Sequence, residues 1–238
     1  MTSIANTNSG RRLACLTLLI SVPFALFTLS FLVVVAGGDM SMFYDPAALL
    51  AVTPDKARLL YLGYWSDIFG YYLILVPAML FLWRWLRPLD PGTADVAGVF
   101  GVVYALLGGI GAAHMAAAYQ AIFAANLGAS GGEAAALNAA WLATVTGGWQ
   151  GLWVLAPAAG AVWAFGTGRL LLAHGRRYLG WLTTVIALAW AVHFVLKIAG
   201  LSEVSDLFST IVIILQPIWA MSVAIALRKP IQPVLNVE

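Results

Sequence analysis

The sequence predicts an all-α integral membrane protein, one bundle of six transmembrane helices with both termini on the cytoplasmic side. Three observations predict it. Of the 238 residues, 62% are hydrophobic and only 9% charged, where soluble domains average about 45–50% apolar and about 25% charged residues. A compact soluble fold must clothe its outside in polar groups, a requirement that a bilayer removes. Six apolar stretches each supply the roughly 20 residues that cross about 30 Å of hydrocarbon. Lysine and arginine, finally, gather in alternate loops.

The first stretch, about residues 13–36, contains no charge. Arg11-Arg12 ahead of an apolar run and Ala36-Gly37-Gly38 behind it resemble a cleaved signal peptide. The run is about twice the length of a signal peptide's apolar region, so an uncleaved anchor is expected. The second stretch, about 59–85, is interrupted only by Asp67. Between them lies the longest outer loop. Asp45-Pro46 opens a short interfacial helix there, and Thr53-Pro54-Asp55 repeats the same start signal before the second span. This loop is placed to cover the outer mouth of the bundle.

The third stretch, about 97–125, carries Gly98, Gly101, Gly108, Gly109 and Gly111 together with several alanines. Such a smooth face predicts close helix–helix contact and a central position for this helix. Gly128 to Gly132 reads as a flexible turn before the fourth stretch, about 137–166. The fifth runs from about 178 to 199 and the sixth from about 207 to 227. Residues 1–12 and 230–238 are expected to be cytoplasmic tails, the first disordered, flanking a transmembrane domain at 13–229. Pro23, Pro77, Pro157 and Pro217 fall inside spans and should kink them.

Orientation follows from the loop charges. With the N-terminus inside, the cytoplasmic ends carry Arg11, Arg12, Arg84, Arg87, Arg169, Arg176, Arg177, Arg228 and Lys229, against Lys56, Arg58 and Lys197 outside. The expected location is the cytoplasmic (inner) cell membrane. A net charge of +2 and the absence of a basic run give no support for nucleic-acid binding. The single cysteine, Cys15, rules out a disulfide within the chain.

Ionisable and amide groups at membrane depth are the candidate functional residues. They are Asp67, His114, Gln150, His193, Lys197 and Gln216. From a helix rise of about 1.5 Å per residue, all but Lys197 fall within roughly 8 Å of their span's midpoint. Gly63, Asp67, Gly70 and Ile74 share one helical stripe; Trp190, His193 and Lys197 share another. Gln150–Trp153 and Gln216–Trp219 repeat one spacing, amide then indole.

Structurally, this layer reads as interhelical hydrogen bonds holding the bundle, each contributing about 0.6–2 kcal/mol. Functionally, it reads as an outward-facing polar pocket for a small amphipathic ligand, a lipid or a partner subunit. A second functional reading is a membrane redox protein holding haem b between His114 and His193. A third, proton- or ion-coupled transport through Asp67, lacks a second acid deeper in the membrane. A further alternative is an accessory subunit that assembles with another membrane protein or with itself. No GxSxG, HExxH or paired-carboxylate pattern occurs in the spans, so no catalytic residues are assigned and an enzyme is the less favoured class.

The run Ala57-Arg58-Leu59-Leu60-Tyr61-Leu62-Gly63-Tyr64-Trp65-Ser66-Asp67 resembles the Arg-Leu-Gly-Phe-x-x-Asp segment that opens the second helix in the DUF4386-type family of bacterial membrane proteins. Arg84-Trp85-Leu86-Arg87-Pro88-Leu89-Asp90 is similar to that family's basic, proline-containing turn after the same helix. Pro217-Ile218-Trp219-Ala220 lacks the Glu that often follows the proline of that family's sixth helix. The resemblance implies a bacterial cytoplasmic membrane and a six- to seven-helix bundle, and it implies no activity.

Overall fold

The computed structural model describes residues 4–37 and 46–228, and all regular structure among them is helical. Helix α1 covers Ile4–Ala36, α2 Pro46–Leu50 and α3 Pro54–Asp67. A π-helical turn, Ile68–Tyr72, and a 3₁₀ turn, Leu73–Leu75, join α3 to α4 (Val76–Leu86). Helix α5 covers Pro91–Asn126, and α6 (Gly131–Val145) runs through a second π segment, Thr146–Leu152, into α7 (Trp153–Ala173). Helices α8 (Arg177–Ile198) and α9 (Ser202–Arg228) complete the chain.

Six helical stretches are long and apolar enough to cross a membrane: Asn8–Ala36, Pro54–Leu86, Pro91–Asn126, Gly131–Ala173, Arg177–Ile198 and Ser202–Arg228. They coincide in order with the six stretches of the sequence and exceed most of them at their ends. Capping accounts for part of the extension. Thr53 is extended (ψ 155°) before Pro54, and Asp90 accepts hydrogen bonds from the Thr93 amide (3.1 Å) and hydroxyl (2.7 Å) before α5. Residues 4–12, expected as a disordered tail, are instead the first turns of α1. Asp45, Lys229 and the expected tail at 230–238 lie outside the described residues.

Two sharp turns set the last three spans antiparallel. Gly175 (φ +80°) and Gly200 (φ +77°) take the left-handed conformation that ends a helix without a Cβ penalty. Beyond each, an amide reaches back to the last turn: Arg176 to the Leu171 carbonyl and Leu201 to the Leu196 carbonyl, both at 2.9 Å. Helices α8 and α9 are therefore an antiparallel hairpin.

The spans form a ring. Each packs chiefly on its neighbours in sequence, and the sixth, α9, returns to pack on the first, α1. The third span is consequently one stave of that ring, not the central helix its smooth face predicts. Its glycines receive aromatic side chains, and helix backbones do not close on them. A Cβ at Gly98 would overlap the Trp83 ring and one at Gly108 the Tyr72 ring. A Cβ at Gly101 or Gly111 would approach Trp163 Cδ1 or Trp153 Nε1 to 2.7 Å. True backbone contact occurs at Gly70, where a Cβ would lie 2.6 Å from the Ala25 nitrogen of α1.

Aromatic rings fill the middle of the ring of helices. Tyr72, Tyr104, Trp163, Trp190 and Trp219, one from each of five spans, form a connected cluster. Tyr104 lies 4.8 Å from Trp190 and stacks at 6.2 Å on Trp163, which meets Trp219 edge-on at 5.3 Å. A second buried cluster, with Phe31, Leu60, Tyr64, Tyr119 and Trp141, fills the end of the bundle beneath α2. Leu49 of α2 is fully buried against it, and its carbonyl accepts the Tyr119 hydroxyl at 3.1 Å. The short helix covers that end of the bundle.

Candidate functional site

The polar layer of the sequence separates into four places. Gln216 is buried at the centre, where its Nε2 donates to the Tyr71 carbonyl (3.0 Å) and its Oε1 accepts from the Tyr104 hydroxyl (3.2 Å). Tyr104 also reaches the Tyr71 carbonyl, at 3.1 Å. The backbone is distorted at this level, where Tyr72 leaves helical geometry (φ −129°, ψ −79°) ahead of Pro77. Pro77 cannot donate to the Leu73 carbonyl, and the backbone tightens ahead of it so that Val76 N–H turns to Leu73 instead. Within this π and 3₁₀ region, Tyr71 offers its carbonyl to the helices opposite. Tyr71 returns the contact through its own hydroxyl, which donates to the Ile213 carbonyl at 2.9 Å.

His193 and Lys197 belong to the α8–α9 hairpin. His193 is buried, and its Nδ1 lies 2.9 Å from both the carbonyl and the hydroxyl of Ser205. The Ser205 hydroxyl lies 2.8 Å from the His193 carbonyl, a donor contact back to α8. One turn further on, Lys197 pairs with Asp206 at 3.2 Å, both side chains less than one fifth exposed. The cluster ties the two helices together beside the Gly200 turn. Ser205 and Asp206 had gone unnoticed in the sequence. Their signal was positional: they lie five and six residues beyond Gly200, in the second turn of α9, where the end of α8 passes.

His114 and Gln150 point away from the interior. Both are exposed on the outside of the bundle and neither has a hydrogen-bond partner among the described residues. The indole three residues beyond each glutamine behaves differently from the amides. Trp153 Nε1 donates to the Gly108 carbonyl (3.1 Å) and Trp219 Nε1 to Thr183 Oγ1 (2.9 Å). His114 lies on the third span beside Gly148, while His193 is engaged with the sixth. Nothing brings the two imidazoles to one haem plane. Among the described residues, no group of three His, Cys, Asp or Glu side chains is placed to hold a metal ion.

Asp67 stands apart from all of these. It ends α3, partly buried, immediately before the π turn. At about 100° per residue it falls opposite Leu62 and Trp65, which face outward. It lies between the stripe of Gly63 and Gly70 that packs on α1 and the inward-facing Tyr64 and Tyr71. Tyr64, Tyr71, Tyr72 and Tyr104 all lie within electrostatic reach of its carboxyl group. Among the described residues its carboxyl group has neither a hydrogen-bond nor an ion-pair partner. The neighbouring Ser66 hydroxyl is spoken for, donating to the Phe24 carbonyl at 2.7 Å.

Tyr64 supplies a second orphan. Its ring is buried, 6.2 Å from Tyr119 and 6.4 Å from Trp153, and its hydroxyl has no hydrogen-bond partner. Leaving a hydroxyl unmatched in an apolar interior costs about 1–3 kcal/mol, and an unpaired carboxyl group at membrane depth costs more. Two such groups one turn apart, on the interior side of the second span, form the candidate site.

No protein-family model, curated protein or solved structure matches the chain. The resemblance to the DUF4386-type family rests on the residues quoted for it.

Proposed function

We propose that the chain is a multi-pass protein of the cytoplasmic cell membrane, with both termini inside, that binds a small amphipathic ligand at Asp67 and Tyr64. The observation that carries this reading is the pair of orphaned polar groups on adjacent turns of the second span. Of the other acidic side chains in the six stretches, Asp95 binds Arg87 and Trp83 and Asp206 binds Lys197, while Asp55, Glu133 and Glu203 are exposed in the first turns of their helices, at the ends of the bundle. Asp67 has no partner, although Ser66 beside it and Gln216 across the bundle are both hydrogen-bonded. The buried indole N–H groups of Trp85 and Trp141 are also unmatched, but they stand apart from any acid, whereas Tyr64 and Asp67 place an unmatched hydroxyl beside an unmatched carboxyl group, a pair suited to a molecule that comes from outside the chain.

The positive-inside count supports the orientation. The basic residues Arg84, Arg87, Arg169 and Arg176 lie at the end of the bundle opposite α2, so α2 faces outward. Leu49 and Leu50 then close the outer end above Tyr119 and Tyr64, and the Tyr119–Leu49 hydrogen bond holds that cover down. The accessory-subunit reading loses ground, because the third span's glycine face is covered by the chain's own rings. The haem reading has no observation in its favour.

The test compares the small molecules carried by the purified wild-type protein with those carried by Asp67→Asn and Tyr64→Phe. Mass spectrometry of solvent extracts should find a species in the wild type that both variants lose. Extracts identical across all three proteins would reject Asp67 and Tyr64 as a binding site.

A further inference from the structure

The chemistry around Asp67 narrows the class of ligand, an inference that rests on the site proposed above. The chain's cations are committed elsewhere or sit at the ends of the bundle. Lys197 is with Asp206, Arg87 with Asp95, Arg169 within 3.9 Å of Asp90, and Lys56 donates to the Val35 carbonyl at 3.0 Å. No cation of the chain is placed to neutralise an ionised Asp67, so a counter-charge for its carboxylate would have to come from outside the chain.

The surroundings discriminate among the possible cations. A calcium ion takes six to eight oxygen ligands, and magnesium an octahedron of them. Around Asp67 the oxygens are mostly spent: the Tyr71 hydroxyl on Ile213, the Tyr104 hydroxyl on Gln216 and Tyr71, and the Ser66 hydroxyl on Phe24. A proton relay needs a further acid or base along the path, and His193 is tied to Ser205 in the fifth and sixth spans. What the site does offer is one carboxylate, one unclaimed phenol and several aromatic rings. Carboxylate plus ring faces is the pairing that holds an organic ammonium group, since the quadrupole of each ring attracts a cation that the carboxylate neutralises.

We propose that the Asp67 site binds a monovalent organic ammonium compound, with the charged nitrogen against the Asp67 carboxylate and the Tyr64 hydroxyl, and its hydrocarbon part among the rings of Tyr64, Tyr72 and Trp153. A primary amine suits the phenol, which accepts one of its N–H bonds. An aryl or alkyl tail suits the rings.

The experiment uses the full chain in lipid nanodiscs and two isosteric probes, 2-phenylethylammonium and neutral 2-phenylethanol, followed by tryptophan fluorescence and thermal unfolding. In the wild type the ammonium probe should raise Tm and perturb fluorescence saturably, at a concentration about tenfold or more below the neutral probe. Asp67→Asn should abolish that preference while unfolding as cooperatively as the wild type. Equal binding of the two probes in the wild type, lost in Asp67→Asn, would overturn the ammonium assignment and keep the site. Ammonium binding retained in Asp67→Asn would overturn the assignment, because the cation would then be held elsewhere. Failure of the wild type to bind either probe would also overturn it, and the extract comparison would decide the site separately.

Discussion

A carbonyl inside a bilayer has no water to turn to, and the Tyr71 carbonyl accepts from the Gln216 amide and shares the one proton of the Tyr104 hydroxyl with Gln216 Oε1. Removing either donor is therefore not a surface event. Gln216→Leu leaves the Tyr104 hydroxyl and the Tyr71 carbonyl to each other and should destabilise the bundle by about 0.6–2 kcal/mol, the range of interhelical hydrogen bonds in membranes. Gln150→Leu, at an exposed position with no partner, should be neutral or stabilising, because an amide facing lipid is exchanged for an apolar side chain. Thermal unfolding of the two variants in detergent reads the difference. Equal losses would show that the central network contributes nothing beyond side-chain hydrophobicity. The same contrast explains what one sequence can and cannot reveal about single residues. Both glutamines have an indole three positions on and a proline in the same span, so spacing alone assigns them the same fate. The facing helix distinguishes them, and a single-chain pattern does not contain it.

At the scale of the helix, the glycines of α5 act as sockets for rings. Gly108 and Gly109 are neighbours in sequence with opposite surroundings. A Cβ at Gly108 overlaps the Tyr72 ring, whereas one at Gly109 finds only Tyr72 Cβ, at 3.8 Å. Gly108→Ala should therefore force Tyr72 off the Tyr104 ring and cost about 1–3 kcal/mol, as overpacking does. Gly109→Ala should be tolerated and gain up to about 1 kcal/mol of helix propensity. Unfolding midpoints that move together would remove the socket account. The existence and order of the spans were legible beforehand, because length and hydropathy are properties of a segment by itself. The role of the glycines was only half legible. A smooth face says that something comes close, and the occupant here is an aromatic side chain from a neighbouring span. The π turns were foreshadowed by Pro77 and Pro157, since in both spans the distorted stretch ends shortly before the proline. The His193–Ser205 and Lys197–Asp206 pairs needed the position of the Gly200 turn, which hydropathy places only to within a few residues.

The whole molecule is a ring of spans closed by contact between the first and the last, and this closure lets aromatic side chains, and not a central helix, fill the axis. Closure rests on α1 against α9, where the Cys15 Sγ lies 3.4 Å from the Ala224 carbonyl. The chain has one cysteine, so a second placed at Ala224 creates a unique pair without any background to remove. Ala224 is buried and Cys15 is partly buried, which makes a short oxidative cross-link a report on packing inside the bundle and not on chance collisions. Oxidation of Ala224→Cys in nanodiscs should join peptides from the two ends of one monomer, detected as a linked pair after digestion. The control is Ile110→Cys, which places the new thiol on the outward face of the third span, away from α1. It should yield no link within a monomer. A linked pair in the control, or its absence in Ala224→Cys, would open the ring. The consequence would reach the candidate site, since Asp67 lies beside the face of the second span that packs on α1. If α1 were displaced, Gly63 and Gly70 would lose the helix they fit, and Asp67, now partly buried, would lose the cover beside it.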